Sequence, residues 1–123
     1  MHPQIKNTAA SGEPKTYETK TFEFDPTEVG IPKCELIDLK GGGPKENADK
    51  FVAVLEGGDH TDAKRDSIVL NAGVGCYVYG LTPTIAEGCA LARKTLEEGK
   101  AADLLQEWIK VSQKVASSET AKA

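Results

Sequence analysis

One strand-like segment stands beside four helix-like ones, and that mismatch limits what this chain can build by itself. Residues 16–24 (TYETKTFEF) alternate and are rich in Tyr, Thr and Phe, the composition and period of a β-strand. Glu18, Lys20, Phe22 and Phe24 would share one face, and Tyr17, Thr19, Thr21 and Glu23 the other. Residues 4–8 are the one weak candidate to pair with it. A lone strand leaves a row of backbone donors and acceptors open, and even a two-stranded hairpin is marginal in water. The rest of residues 1–14 is polar, with a turn signal at Ser11-Gly12, and reads as a flexible N-terminal segment.

Downstream the period changes. Asp25-Pro26 ends the strand and can cap a short helical turn through Glu28, which Gly30 and Pro32 close. Residues 34–39 read as a strand-like lead into Gly41-Gly42-Gly43-Pro44. A first helix is expected over 44–56, with Pro44 at its start, Ala48, Phe51, Val52 and Leu55 on one stripe, and Gly57 as its stop. A second, over 62–79, is apolar nearly all round beyond Ser67, the mark of a helix surrounded by neighbours. Gly73 and Gly75 cost it about 1 kcal/mol each in propensity, so both are expected at close backbone contacts. A third, over 84–98, opens on Thr84 and Glu87, a capping box, and buries Ile85, Cys89, Ala92 and Leu96 before Gly99. The fourth turns Ala101, Leu104, Leu105, Trp108 and Val111 inward and frays from Ser117. No internal repeat is visible. The fold class is α+β and mostly helical: one or two N-terminal strands, then about four helices. The second helix asks for more neighbours than two amphipathic helices supply, so the chain reads as part of a larger domain.

The chain of 123 residues suits one domain. With 15 Lys+Arg against 19 Asp+Glu and a net charge of −4, it lacks the basic stripe of a nucleic-acid binder. The uncharged stretch over residues 67–84 is interrupted by Asn71, Gly73 and Gly75 and falls short of a membrane span. Residues 1–15 contain no apolar h-region and no Arg-rich amphipathic pattern, so they do not read as a signal or transit peptide. Cys34, Cys76 and Cys89 form no C-x-x-C pair, and the only histidines are His2 and His60. Zinc needs three or four closely placed ligands, so no metal site is expected and the cysteines read as reduced, buried thiols of an intracellular protein.

Several local groups invite a functional reading. Gly41-Gly42-Gly43 could form a phosphate nest with Lys40 and Lys45 beside it, but no Gly-Lys-Ser/Thr or G-x-G-x-x-G pattern follows and Pro44 removes a donor. His60 sits in a polar loop without a nucleophile and reads as solvated. Arg65-Asp66 reads as a charge pair at a helix start. Cys76 and Cys89 fall on apolar stripes without a basic neighbour and read as packing groups. Trp108 reads as an anchor holding the last helix to the body, and Glu97, Glu98 and Lys100 as solvated surface.

Three strings taken together, IPKCELIDLKGGGPKENA, RDSIVLNAGVGCYVYGL and IAEGCALARKTLEEGKAADLLQEWI, resemble the C-terminal region of the anthranilate phosphoribosyltransferases, glycosyltransferase family 3. FDPTEVGIP matches that family's strand-to-turn segment, and the likeness covers about residues 16–113. The GIPKCELIDLKGG wording and Trp108-Ile109 lean toward plant and algal forms, which implies a plastid; otherwise a cytoplasmic protein is expected. The resemblance implies part of the α/β domain of the nucleoside phosphorylase/phosphoribosyltransferase fold, over residues 15–116, with 117–123 a disordered tail.

For the complete family enzyme the resemblance implies a pentosyltransferase of tryptophan biosynthesis, joining anthranilate to phosphoribosyl pyrophosphate with Mg²⁺. The residues that would hold those groups, a Gly-Thr-Gly-Gly-Asp loop, an Asp-Glu pair and a mid-chain arginine, have no counterpart in this sequence. Gly43 also stands where the family usually has an acid, which removes a side-chain cap from that helix start. No catalytic, substrate-binding or metal residue is carried over, no cofactor is expected on this chain, and no turnover is expected from it alone. Its expected partner is the missing N-terminal part of the family fold or another protein chain. The alternative reading is a stand-alone structural or adaptor subunit that docks on a larger assembly.

Overall fold

The structure of the protein, a computed structural model, describes residues 7–8 and 14–122. Expectations for residues 1–6 and 9–13, His2 among them, lie outside the described residues. Two two-residue strands, β1 (Asn7–Thr8) and β2 (Pro14–Lys15), pair antiparallel with Asn7 opposite Lys15. Four helices follow: α1 (Pro44–Leu55), α2 (Ala63–Tyr79), α3 (Ile85–Glu97) and α4 (Lys100–Lys122).

The strand expected over residues 16–24 does not form; the segment runs without a ladder, and Phe22 is exposed. Its composition suits a strand, but among the described residues nothing else lies alongside to take its backbone hydrogen bonds. Residues 34–39 are likewise no strand. Leu36–Leu39 is a 3-10 turn, which the Asp38 carboxylate closes by accepting the Glu35 N–H at 2.9 Å. The earlier turn, Pro26–Val29, forms as expected: Asp25 accepts the Thr27 N–H at 2.9 Å, and Gly30 ends the turn with φ +75°.

The body is the antiparallel pair α2–α3. Their junction is a tight stop, with Gly80 left-handed at φ +89° and the Leu81 N–H returning to Cys76 O at 2.9 Å. Across the pair Gly73 faces Gly88 and Cys89. A Cβ on Gly73 would lie 2.6 Å from the Cys89 amide nitrogen, so glycine is what permits this crossing. Val69 and Cys89 are fully buried there, with Ile31, Val54, Leu55 and Leu96 completing the core. Ile85 and Ala92 pack against it, so the α3 stripe is the one the spacing describes.

Other faces differ from expectation. Gly75 has nothing within 4 Å of where a Cβ would sit, so among the described residues it makes no close contact. Only α3 covers α2 closely, and the opposite side of α2 is open, with Val78 76% and Tyr79 83% exposed. On α1, Val54 and Leu55 are buried whereas Ala48 and Phe51 are exposed, because only the last turn of the helix reaches the body. Trp108 is no anchor: it is 69% exposed, as are Leu104 and Val111 for the most part, and only Ala101, Ala102 and Leu105 of α4 reach the core. The helix also continues through Ser117 to Lys122. No described helix is long and apolar enough to cross a membrane.

Candidate functional site

A cavity of about 690 Å³ opens where the second 3-10 turn and the α1–α2 loop meet the start of α2. Its chemistry-bearing lining includes Lys33, Cys34 and His60 with the carboxylates of Asp38, Asp59, Asp62 and Asp66. Elementary chemistry would make such a rim a general-acid or cation site, but three of its four carboxylates, Asp38, Asp59 and Asp62, are already engaged. Asp59 accepts the Thr61 hydroxyl at 2.7 Å and its N–H at 2.8 Å, and those bonds hold its carboxyl below the usual carboxylate range. Asp62 is the N-cap of α2 and accepts the Lys64 N–H at 2.9 Å. Asp38 closes its own turn, while its backbone carbonyl accepts from Lys64 Nζ at 2.8 Å, tying the turn to α2. His60 is exposed, as expected for a loop histidine. Among the described residues, no three His, Cys, Asp or Glu side chains converge as metal ligands. The pattern is that of a loop held in shape by its own acids.

The triglycine turn shows the same economy. The Gly42 N–H donates to Asn47 Oδ1 at 2.8 Å, and Asn47 Nδ2 donates back to Gly42 O at 2.9 Å. A nest needs free N–H groups converging on an anion, and this amide already occupies one of them. Gly43 caps α1 without a side-chain bond, with Pro44 in the first turn. Lys45 pairs with Asp49 at 2.7 Å on the helix surface, and Lys40 is exposed.

Both arginines have structural surroundings that their residue type did not specify. Arg65 is only 2% exposed, and its Nε and Nη2 have no hydrogen-bond partner; Glu97 Oε1 lies 3.9 Å from Nη2. In place of the charge pair with Asp66 expected at the helix start, the structure has a buried guanidinium between α2 and the end of α3. Arg93 Nη2 donates to Val29 O and Gly30 O, each at 3.2 Å, fastening α3 to the first 3-10 turn across more than sixty residues. Spacing alone carries no signal for either role.

The thiols separate by environment. Cys89 is fully buried, and that burial pushes its thiol up, against a smaller opposing pull from Arg93. It therefore has a basic neighbour one helical turn away, contrary to expectation, but desolvation dominates. Cys76 is half-buried, whereas Cys34 is exposed at the cavity rim and so is not the buried thiol expected of it.

The match to a family model covers residues 3–102, and that model describes the glycosyl transferase family, a/b domain. The chain is 38% identical over 101 residues to the anthranilate phosphoribosyltransferase of Chromobacterium violaceum, covering 82% of this chain and 29% of that protein. It is 46% identical over 91 residues to the enzyme of the same name from Methylorubrum populi, covering 74% and 26%. A crystal structure of anthranilate phosphoribosyltransferase from Thermus thermophilus superposes with a TM-score of 0.67 at 34% identity, over 87% of this chain and 30% of that one. The chain thus spans less than a third of the length of these relatives.

Proposed function

The chain belongs to the glycosyl transferase family through its a/b domain, and from that premise we propose that it is the C-terminal portion of an anthranilate phosphoribosyltransferase fold, silent by itself. Its part is structural: α2, α3 and the two 3-10 turns form a wall against which the remainder of the fold is built. The complete fold would transfer phosphoribosyl from phosphoribosyl pyrophosphate to anthranilate, and any Mg²⁺ serving that reaction would be held by carboxylates outside this chain. The plant and algal wording of GIPKCELIDLKGG supports a plastid as its compartment.

One observation carries the reading: the glycine-turn amide and both arginines, the groups best suited to grip a sugar phosphate, are bonded within the chain or buried. Gly42 is bonded both ways to Asn47, Arg93 is held by Val29 and Gly30, and Arg65 is buried. Transfer chemistry needs preorganised donors aimed at the diphosphate and carboxylates free for the metal. The test is an assay of the purified chain with phosphoribosyl pyrophosphate, anthranilate and Mg²⁺. No anthranilate-dependent release of pyrophosphate is expected; measurable turnover without added protein would refute the reading.

A further inference from the structure

The outer length of α4 carries a pattern that the rest of the fold leaves unused. Ala101, Leu104, Trp108, Val111 and Val115 follow one another at alternating steps of three and four residues, the a and d positions of a heptad repeat. Ala101 packs on the core, and the other four are exposed. Glu107 and Lys114 occupy successive g positions along one edge of this seam, and Gln106 and Gln113 lie on the polar back of the helix. From Gln106 onward no described residue of α4 is covered, and a lone helix of that length is marginal in water.

We propose that α4 pairs with α4 of a second copy of this chain, as an antiparallel two-stranded coiled coil about a two-fold axis. Charge and size select both the occupant and its direction. In an antiparallel pair the g positions face each other, so Glu107 of each copy meets Lys114 of the partner subunit, and the symmetry makes both contacts at once. A charge pattern that complements itself under two-fold rotation specifies another copy over an unrelated helix. The seam is self-complementary in volume as well: Trp108 layers with Val111 of the partner subunit, and Leu104 with Val115 of the partner subunit. Parallel pairing would instead set Trp108 against its own copy and Glu107 against the uncharged Ser112. Within its own helix Glu107 accepts from Lys110 at 3.2 Å, an exposed pair of small worth that a contact across the seam can share.

Sedimentation equilibrium of the full chain tests this, with circular dichroism checking that each variant keeps the helicity of α1 to α3. The wild type should pass from monomer to dimer as its concentration rises toward about 0.1 mM, and Val111→Asp should stay monomeric. Glu107→Lys and Lys114→Glu should each weaken the dimer about tenfold, because two contacts turn repulsive, and the double variant should return to within about threefold of wild type. A wild type that is monomeric throughout, or a dimer that Val111→Asp leaves intact, would overturn the proposal. So would a double variant that is not rescued. A loss on Lys114→Glu with none on Glu107→Lys would mark parallel pairing, Lys114 then facing Glu119 of the partner subunit, and would overturn it too. The reading of the chain as part of a larger fold depends on none of these outcomes.

Discussion

At the scale of single residues, the crossing of α2 and α3 depends on what is missing. A Cβ on Gly73 would sit 2.6 Å from both the amide nitrogen and the sulfur of Cys89, and one on Gly88 would sit closer still to Gly73 O. Gly73→Ala is therefore expected to cost about 1–3 kcal/mol despite alanine's better helix propensity, because backbone must move. Gly75→Ala, in open space, should stabilise the isolated chain by about 0.5–1 kcal/mol. Thermal unfolding of the two variants side by side checks the opposite signs. Arg65 carries buried polar atoms with no partner, so Arg65→Met, which keeps the stem's packing, is expected to be neutral or stabilising in the same measurement. Cys89 gives a pH signature. Its folded pKa is raised by burial, so its contribution is intact below the ordinary thiol range and is lost as pH rises through that range toward the folded value. The gap in melting temperature between wild type and Cys89→Ala should narrow from about pH 7 to about pH 10, across the ordinary thiol range; a constant gap would contradict the assignment. Of these details, the sequence made Gly73 and Cys89 legible through helical spacing. The burial of Arg65 and the reach of Arg93 to Val29 were not, since both depend on residues distant in the chain.

At the scale of elements, local chemistry decides the boundaries and distant neighbours decide the faces. Thr84 caps α3 by accepting the Glu87 N–H at 3.1 Å, and its hydroxyl donates to the Glu87 carboxylate at 3.0 Å. The reciprocal bond thus runs to the hydroxyl rather than to the Thr84 backbone, a variant of the expected box. Thr84→Ala should cost about 1 kcal/mol, read by chemical denaturation. Such caps, like Asp62 and Gly80, involve residues within one turn of each other, which is why helix ends were readable from the sequence. Residues 16–24 differ for the opposite reason: a strand exists only with a partner, and alternation says nothing about whether one is present. Trp108 was misplaced on the same ground. From Gln106 onward every described residue of α4 is exposed, and an isolated helix of that length is marginal in water. Hydrogen exchange should find those amides nearly unprotected while α2 and α3 hold theirs; strong protection beyond residue 106 in a monomer would contradict the exposed arrangement.

For the whole molecule, the exposed apolar surface and the committed polar groups have a common explanation. Phe22, Leu36, Val78, Tyr79, Leu104 and Trp108 all face outward, more than a monomer of this size ordinarily leaves open. Meanwhile, the glycine turn and the acidic loop use their polar groups to hold themselves together. A fold complete in itself would bury the former, and a chain able to work alone would keep some of the latter free for substrate. The most direct measurement is isothermal titration of the isolated chain with Mg²⁺ and phosphoribosyl pyrophosphate together. The account predicts no saturable heat up to millimolar ligand; a stoichiometric isotherm abolished by Asn47→Ala or Asp59→Asn would contradict it.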